Sequence, residues 1–144
     1  MLIGYTRIAK VQPEEDLQIQ QKSLMDYGCS EQNIYREKTI NGAPQPELKM
    51  AINALRKGDK FVVDHLSRFG YDISDIGKIL EKIEEKYANL VVLDLGGNLM
   101  DSSTKSGLAM LKAVQAIAAL SADASREKKL EDLVKTRKNY KRGT

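Results

Sequence analysis

At 144 residues, 42% hydrophobic and 30% charged, the chain has the proportions of one soluble globular domain with a real core and no second domain. Its lone cysteine, Cys29, excludes an intramolecular disulfide framework, and its lone histidine, His65, argues against a transition-metal site. The longest apolar runs fall far short of a membrane span, and Met1 leads straight into an apolar segment instead of a basic leader, so a cytoplasmic protein with no metal, cofactor or membrane partner is expected.

Residues 1–10 read LIGYTRIAK after the initiator, an apolar and aromatic run that breaks into the polar, Pro-containing residues 11–16. This predicts a buried strand emptying into a loop. Alternation sends Ile3, Tyr5, Arg7 and Ala9 to one face and Leu2, Gly4, Thr6 and Ile8 to the other. An arginine, a tyrosine hydroxyl and the small Ala9 therefore meet at the carboxyl end of a strand, where open α/β sheets keep their ligand crevices. Pro13 and the acids Glu14, Glu15 and Asp16 then start a helix that Leu17, Gln21, Leu24 and Tyr27 carry to Gly28. Cys29, just past that end, reads as a packed or partly exposed thiol.

Residues 33–37 read as the second strand, and residues 39–46, with Asn41-Gly42 and two prolines, as a loop. Pro46 opens a helix with Leu48, Ala51, Ile52 and Leu55 on one stripe, and Lys57-Gly58-Asp59 turns the chain into a third strand, Phe61-Val62-Val63 through Leu66. Residues 67–72 make a strand-to-helix loop before a helix through Ile73, Ile76, Ile79, Leu80 and Ile83 to Lys86. Residues 89–95 read as the fourth strand. Gly96-Gly97 and Asp101-Ser102-Ser103 make the next loop, with Ser or Thr capping a helix that runs unbroken to about Asn139. Alternating strands and helices predict the α/β class: a mostly parallel sheet flanked by helices, with residues 1–103 as the core and 104–144 as a long helix of the same single domain.

That last helix is too long for its setting. Leu108, Met110, Leu111, Val114, Ile117, Ala118, Leu120, Ala122 and Ala124 cover more than one face, which a single sheet does not bury, so a partner is expected. The net charge of +3 is also unevenly placed. From Arg126 onward, Arg126, Lys128, Lys129, Lys135, Arg137, Lys138, Lys141 and Arg142 face only Glu127, Glu131 and Asp132, and the remainder of the chain is net negative. Lys135, Arg137, Lys138, Lys141 and Arg142 are candidate contacts to a DNA phosphate backbone. The alternative is a solvated helix end whose cations suit the negative pole of the helix dipole.

Several stretches together carry a resemblance: LIGYTRIA, then Asp16-Leu17-Gln18-Ile19-Gln20, then Lys57-Gly58-Asp59, then His65-Leu66-Ser67-Arg68-Phe69-Gly70. They resemble the catalytic domain of the resolvase/invertase family of serine recombinases, from Met1 well into the last helix. The family's first motif is Y-x-R-V-S, and its serine attacks the DNA phosphodiester. The resemblance implies a resolvase-like fold, DNA as partner, and a homodimer formed through the long helix. Leu108, Leu111, Val114, Ile117, Ala118 and Leu120 are the interface residues that follow.

At the position of the serine this chain has Ala9. Phosphoryl transfer to a serine needs a hydroxyl nucleophile and cationic donors matched to the transition-state oxygens, and loss of a catalytic serine in a well-studied protease costs roughly 10⁶-fold in turnover. Arg7 and Arg68 stand where the family has active-site arginines and remain as phosphate-binding remnants. Gln45 replaces the family's arginine before the proline of the second helix, Ser67 its aspartate before Arg68, and Tyr71 its second arginine. Ser121 and Ala122 fall on the Glu-Arg pair of the dimer helix. The loop around Asn41-Gly42 is shorter, and the loop holding Gln12-Pro13 longer, than the family's.

Thr6 does not replace the serine, because it lies on the face opposite Arg7. Ser67, beside Arg68, lacks the full arginine set and a base, and reads as a loop serine bonding local backbone. There is no Walker loop, metal-ligand cluster or Gly-x-Gly-x-x-Gly to compete. Family members continue past the long helix into an arm and a helix-turn-helix reader, whereas this sequence stops at Thr144, so only sequence-independent phosphate contact is expected of it.

The sequence thus predicts a recombinase-type fold without its chemistry, a dimer in weak contact with DNA that serves as a regulator or accessory subunit of a recombination or mobile-element system. A higher oligomer or a heteromer with an active recombinase is compatible with it. Two alternatives stay open: an active recombinase domain captured as a Ser-to-Ala variant, and a protein-interaction module that never meets DNA.

Overall fold

The computed structural model describes residues 1–40 and 42–142, with the side chains of 124–132 and 135–142 outside the description. Five strands form one sheet: β1 (Leu2–Ala9), β2 (Ile34–Thr39), β3 (Lys60–Val63), β4 (Asn89–Leu95) and β5 (Asn98–Asp101), in the order β2-β1-β3-β4-β5. The helices are α1 (Glu14–Tyr27), α2 (Pro46–Ala54), α3 (Ile73–Glu85) and α4 (Lys105–Arg142). Four strands run parallel and β5 pairs antiparallel to β4.

β1 sits inside the sheet, between β2 and β3, because the chain leaves it to one side through α1 and returns past it to β3 through α2. With right-handed crossovers these two connections lie on opposite faces. The core divides accordingly. Ile3, Tyr5, Phe61, Val63, Leu90 and Val92 pack with α2 and α3, while Val62 and Val91 pack with Leu24, Cys29 and Ile34 on the α1 side. Alternation along β1, β3 and β4 therefore feeds both layers. Tyr5, Phe61 and Phe69 form an aromatic cluster with ring centroids 5.5 to 6.4 Å apart. Burial pushes the Cys29 thiol up to about 11, as befits a packed cysteine.

The structure corrects three boundaries. The third strand ends at Val63, and Leu66–Arg68 forms a short 3-10 turn instead of continuing it. The second strand runs on to Thr39. The loop expected after residue 95 holds β5, joined to β4 by Gly96 and Gly97 at φ 61° and 88°. Two consecutive residues at positive φ make the tight hairpin turn whose twist suits the flanking strands.

α4 has 38 residues, about 57 Å of helix at 1.5 Å per residue. Thr104 caps it, its Oγ accepting from the Gly107 N–H at 3.0 Å. Met110, Leu111 and Val114 are partly buried against the α2–α3 core. Ala118 is buried at the crossing with α3, where a Cβ on Gly77 would lie 2.6 Å from the Ala118 methyl. Ala118 is thus covered within the chain. Leu108, Ile117 and Leu120 of the same stripe are 45%, 57% and 69% exposed, and farther along Leu133 and Val134 are exposed too. Among the described residues no helix is long and apolar enough to cross a membrane.

The root of α4 is fixed by Asp101 at the end of β5, which pairs with Lys60 at 2.7 Å. Burial pushes the Asp101 carboxyl up, but the Lys60 ammonium and the hydroxyl and N–H of Ser103 outweigh it and hold the group below the usual carboxylate range.

Candidate functional site

β3 pairs with β1 only as far as Gly4, so the second half of β1 runs on with one neighbour, β2. The Gln20 side chain of α1 closes on this bare edge. Its amide donates to the Arg7 carbonyl and its carbonyl accepts from the Arg7 N–H, both at 2.9 Å. At the strand's last residue the Ala9 N–H donates to the Gln12 side chain at 2.7 Å, and the Gln12 N–H returns to the Ala9 carbonyl at 3.0 Å. Gln12 in turn donates to Asp16 at 3.2 Å. The strand end is thereby held in a self-satisfied turn.

Arg7 reaches from this end to the 3-10 turn, donating from Nη2 to the Ser67 carbonyl at 3.2 Å. Arg68 turns to a carboxylate of its own strand exit. Its Nε and Nη2 donate to the two Asp64 oxygens at 2.9 and 3.0 Å. A two-pronged guanidinium–carboxylate pair of this kind is the strong form of a charge-assisted bond, and an anion approaching Arg68 meets Asp64 as well.

Gln45 binds the same region from the start of α2, its amide donating to the Tyr5 hydroxyl at 3.0 Å and the Arg68 carbonyl at 3.1 Å. The Tyr5 hydroxyl donates to Glu37 at 3.2 Å. Glu37, only 3% exposed, also accepts from the Glu47 and Leu48 N–H groups at 3.3 and 3.2 Å, so a carboxylate inside the fold satisfies the first turn of α2. Burial pushes the Tyr5 hydroxyl well above its ordinary value, with Glu37 adding to the rise and the Gln45 bond and Arg7 opposing it.

The structure thus brings Arg7, Ser67, Arg68 and Gln45 together near the end of β1, whose last residue, Ala9, is half-buried. Ser67 takes part through its carbonyl, and its side chain is exposed. Thr6 is fully buried and donates to the Tyr35 carbonyl at 3.4 Å, on the face away from Arg7 as alternation requires. Tyr71 points outward at 70% exposure, and Ser121 and Ala122 are half-buried on α4. The side chains of Lys135, Arg137, Lys138, Lys141 and Arg142 lie outside the described residues.

Sequence reasoning missed Glu37, Asp64, Gln20 and Gln12. The Asp64–Arg68 and Gln12–Asp16 pairs are legible as four-residue spacings; Glu37 and Gln20 act across the fold and leave no local signal. A cavity of about 430 Å³ opens beside the Arg68 pair toward α1, and Asp16, Asp64 and Asp94 there outweigh Arg68. His65 lies 4.0 Å from Asp94. Among the described residues, no group of three or more His, Cys, Asp or Glu is placed to hold a metal.

Comparison with known proteins identifies the family. The sequence profile described as Resolvase, N terminal domain, matches residues 2–142. A resolvase of Clostridium perfringens is 34% identical over 91 residues, covering 62% of this chain and 47% of that protein. The serine recombinase Gin of Escherichia phage Mu is 28% identical over 139 residues, covering 95% of this chain and 68% of Gin. The chain therefore spans about half the length of the clostridial resolvase. In fold it is similar to the N-terminal catalytic domain of TP901-1 integrase, with a TM-score of 0.67 at 19% identity over 85% of this chain and 97% of that one. A resolvase family site-specific recombinase from Streptococcus pneumoniae gives a TM-score of 0.63 at 18% identity, over 95% and 97% of the two chains. With the profile spanning nearly all of its length and the mostly parallel five-stranded sheet behind it, the chain belongs to the resolvase N-terminal domain family of serine recombinases.

Proposed function

We propose that this domain has lost strand-cleavage chemistry and acts as a dimeric, DNA-associated regulator or accessory subunit of a recombination or mobile-element system in the cytoplasm. It works as a homodimer or higher oligomer, or in a heteromer with an active recombinase. The observation that carries the reading is the strand end itself: a methyl group stands at position 9, and the neighbouring Arg68 is bound to Asp64 through two of its three guanidinium nitrogens. Of these two arginines, Arg7 keeps its guanidinium on a neutral partner, the Ser67 carbonyl. A lone arginine beside an acidic cavity gives a transferring phosphoryl group little of the charge compensation it needs. The exposed Leu108, Ile117 and Leu120 support an intermolecular role for α4.

The test is restoration of the nucleophile. Ala9→Ser, incubated with nicked or supercoiled DNA carrying sites of a related recombinase, is expected to stay at background and yield no covalent protein–DNA adduct on a denaturing gel. An adduct would return the domain to the active class. DNA association is expected to fall steeply with salt, since each phosphate neutralised contributes a slope of about −0.9 in log K against log salt. Neutralising Lys135, Arg137, Lys138, Lys141 and Arg142 together should abolish it. No binding by the parent chain even at low salt would favour the pure interaction module.

A further inference from the structure

A cavity of about 380 Å³ lies behind the first turns of α4, at the opposite end of the sheet from Ala9. Its floor is buried and apolar, made by Leu80 and Ile83 of α3 and Leu90 of β4, at 2%, 3% and 1% exposure. Leu111 and the half-exposed Leu108 of α4 form one wall. Lys57, Glu84, Tyr87, Asn89 and Ser102 bring the polar groups of the lining. Ser102 at its edge is already satisfied, accepting from the Leu90 N–H at 2.8 Å.

Two charged residues stand at the mouth, and they are not equivalent. Glu84 accepts from the Lys112 ammonium at 2.8 Å and the Gln115 amide at 3.2 Å, and the Lys112 bond leads the interactions that hold its carboxyl below the usual range. Lys57 has no hydrogen bond or ion pair to any described residue. The uncompensated charge at the mouth is therefore positive.

A cavity of this size, apolar within, set between helices and edged by a few polar groups, has the proportions of a small-molecule site. A free ammonium at its lip selects an anion carried on an apolar stem. We propose that this cavity binds a small amphipathic carboxylate, a short acyl or arylalkyl acid whose hydrocarbon part lies between α3 and α4 on Leu90 and whose carboxylate meets Lys57. Because Leu108 and Leu111 line it, occupancy braces the root of α4, the helix that carries the exposed Leu108, Ile117 and Leu120. The site does not depend on whether the strand end cleaves DNA.

The experiment titrates the full chain with octanoate and, separately, with octanol, following amide NMR spectra. Octanoate is expected to shift the Leu90, Ser102, Leu108 and Leu111 signals saturably. Lys57→Gln, a change at an exposed loop residue that leaves the core untouched, should weaken octanoate about threefold, the worth of one exposed ion pair, and leave octanol unchanged. Ala88→Leu, which narrows the cavity, should weaken both. Absence of saturable shifts would overturn the site, and equal binding of acid and alcohol with no response to Lys57→Gln would overturn the carboxylate. Shifts of these signals that follow protein concentration alone would give the cavity to a second copy of the chain and also overturn the proposal.

Discussion

Gly107→Ala is expected to lower the stability of the chain by about 3 kcal/mol, read as an earlier midpoint in urea unfolding followed by circular dichroism. The sign runs against helix propensity, since alanine in a helix interior is ordinarily better than glycine by about 1 kcal/mol. Space decides it. A Cβ at Gly107 would lie 1.8 Å from the Asp101 carbonyl oxygen, 2.3 Å from its carbon and 2.9 Å from the Thr104 hydroxyl. The two nearest atoms are backbone, so no rotamer change relieves them.

Asp101 cannot withdraw without loss either. Its residue closes the β4–β5 ladder opposite Val91, its side chain holds Lys60, and its carbonyl accepts from the Thr104 N–H and hydroxyl at 3.0 and 2.7 Å. Relief must come from α4 lifting off the sheet, which unseats Met110, Leu111 and Val114 from the core. A change within about 0.5 kcal/mol would show that the helix root yields freely and that this anchorage is weak.

How far the sequence reads depends on where each constraint lies along the chain. β1, α1, α2, α3 and β4 are legible because each carries its own periodic stripe and its own stop, such as Gly28 after α1 and Lys57-Gly58-Asp59 before β3. β5 escaped because Asn98–Asp101 is too short for a periodic signal, although the Gly96-Gly97 pair before it is itself a hairpin mark. Leu66 looks like strand by composition, yet the peptide after it turns under the Arg68 N–H bond to the His65 carbonyl at 3.2 Å.

The candidate site divides in the same way. The placement of Arg7 and Ala9 on one face of β1, with Thr6 on the other, follows from alternation and is what the structure has. The fate of the cations does not follow from sequence. Arg68 could be assigned to a phosphate or to Asp64 with equal right until the 3-10 turn fixes which one it faces, and the first turn of α2 gives no hint that Glu37, ten residues upstream of Glu47, has reached it.

Glu37 carries the second large effect. Glu37→Ala is expected to cost about 3 kcal/mol in the same unfolding measurement, as much as a buried apolar truncation although few apolar atoms are removed. The carboxylate has three donors: the Tyr5 hydroxyl and the N–H groups of Glu47 and Leu48. Removing it leaves all three without their acceptor, two of them on the buried Tyr5 and Leu48, and it strips the negative charge that suits the start of α2. Gln45 offers no substitute, since its amide points to the Tyr5 oxygen and the Arg68 carbonyl as a donor.

Tyr5→Phe gives the control, because it removes one donor to Glu37 and one acceptor of the Gln45 amide, which keeps the Arg68 carbonyl, and leaves Glu37 still capping α2; it should cost about 1 kcal/mol. The double variant should then cost less than the sum of the two, since without Glu37 the Tyr5 hydroxyl no longer has an acceptor to lose. Strict additivity, or a loss under about 1 kcal/mol for Glu37→Ala, would mean that water reaches the first turn of α2 and that Tyr5, Glu37 and Gln45 do not act as one network.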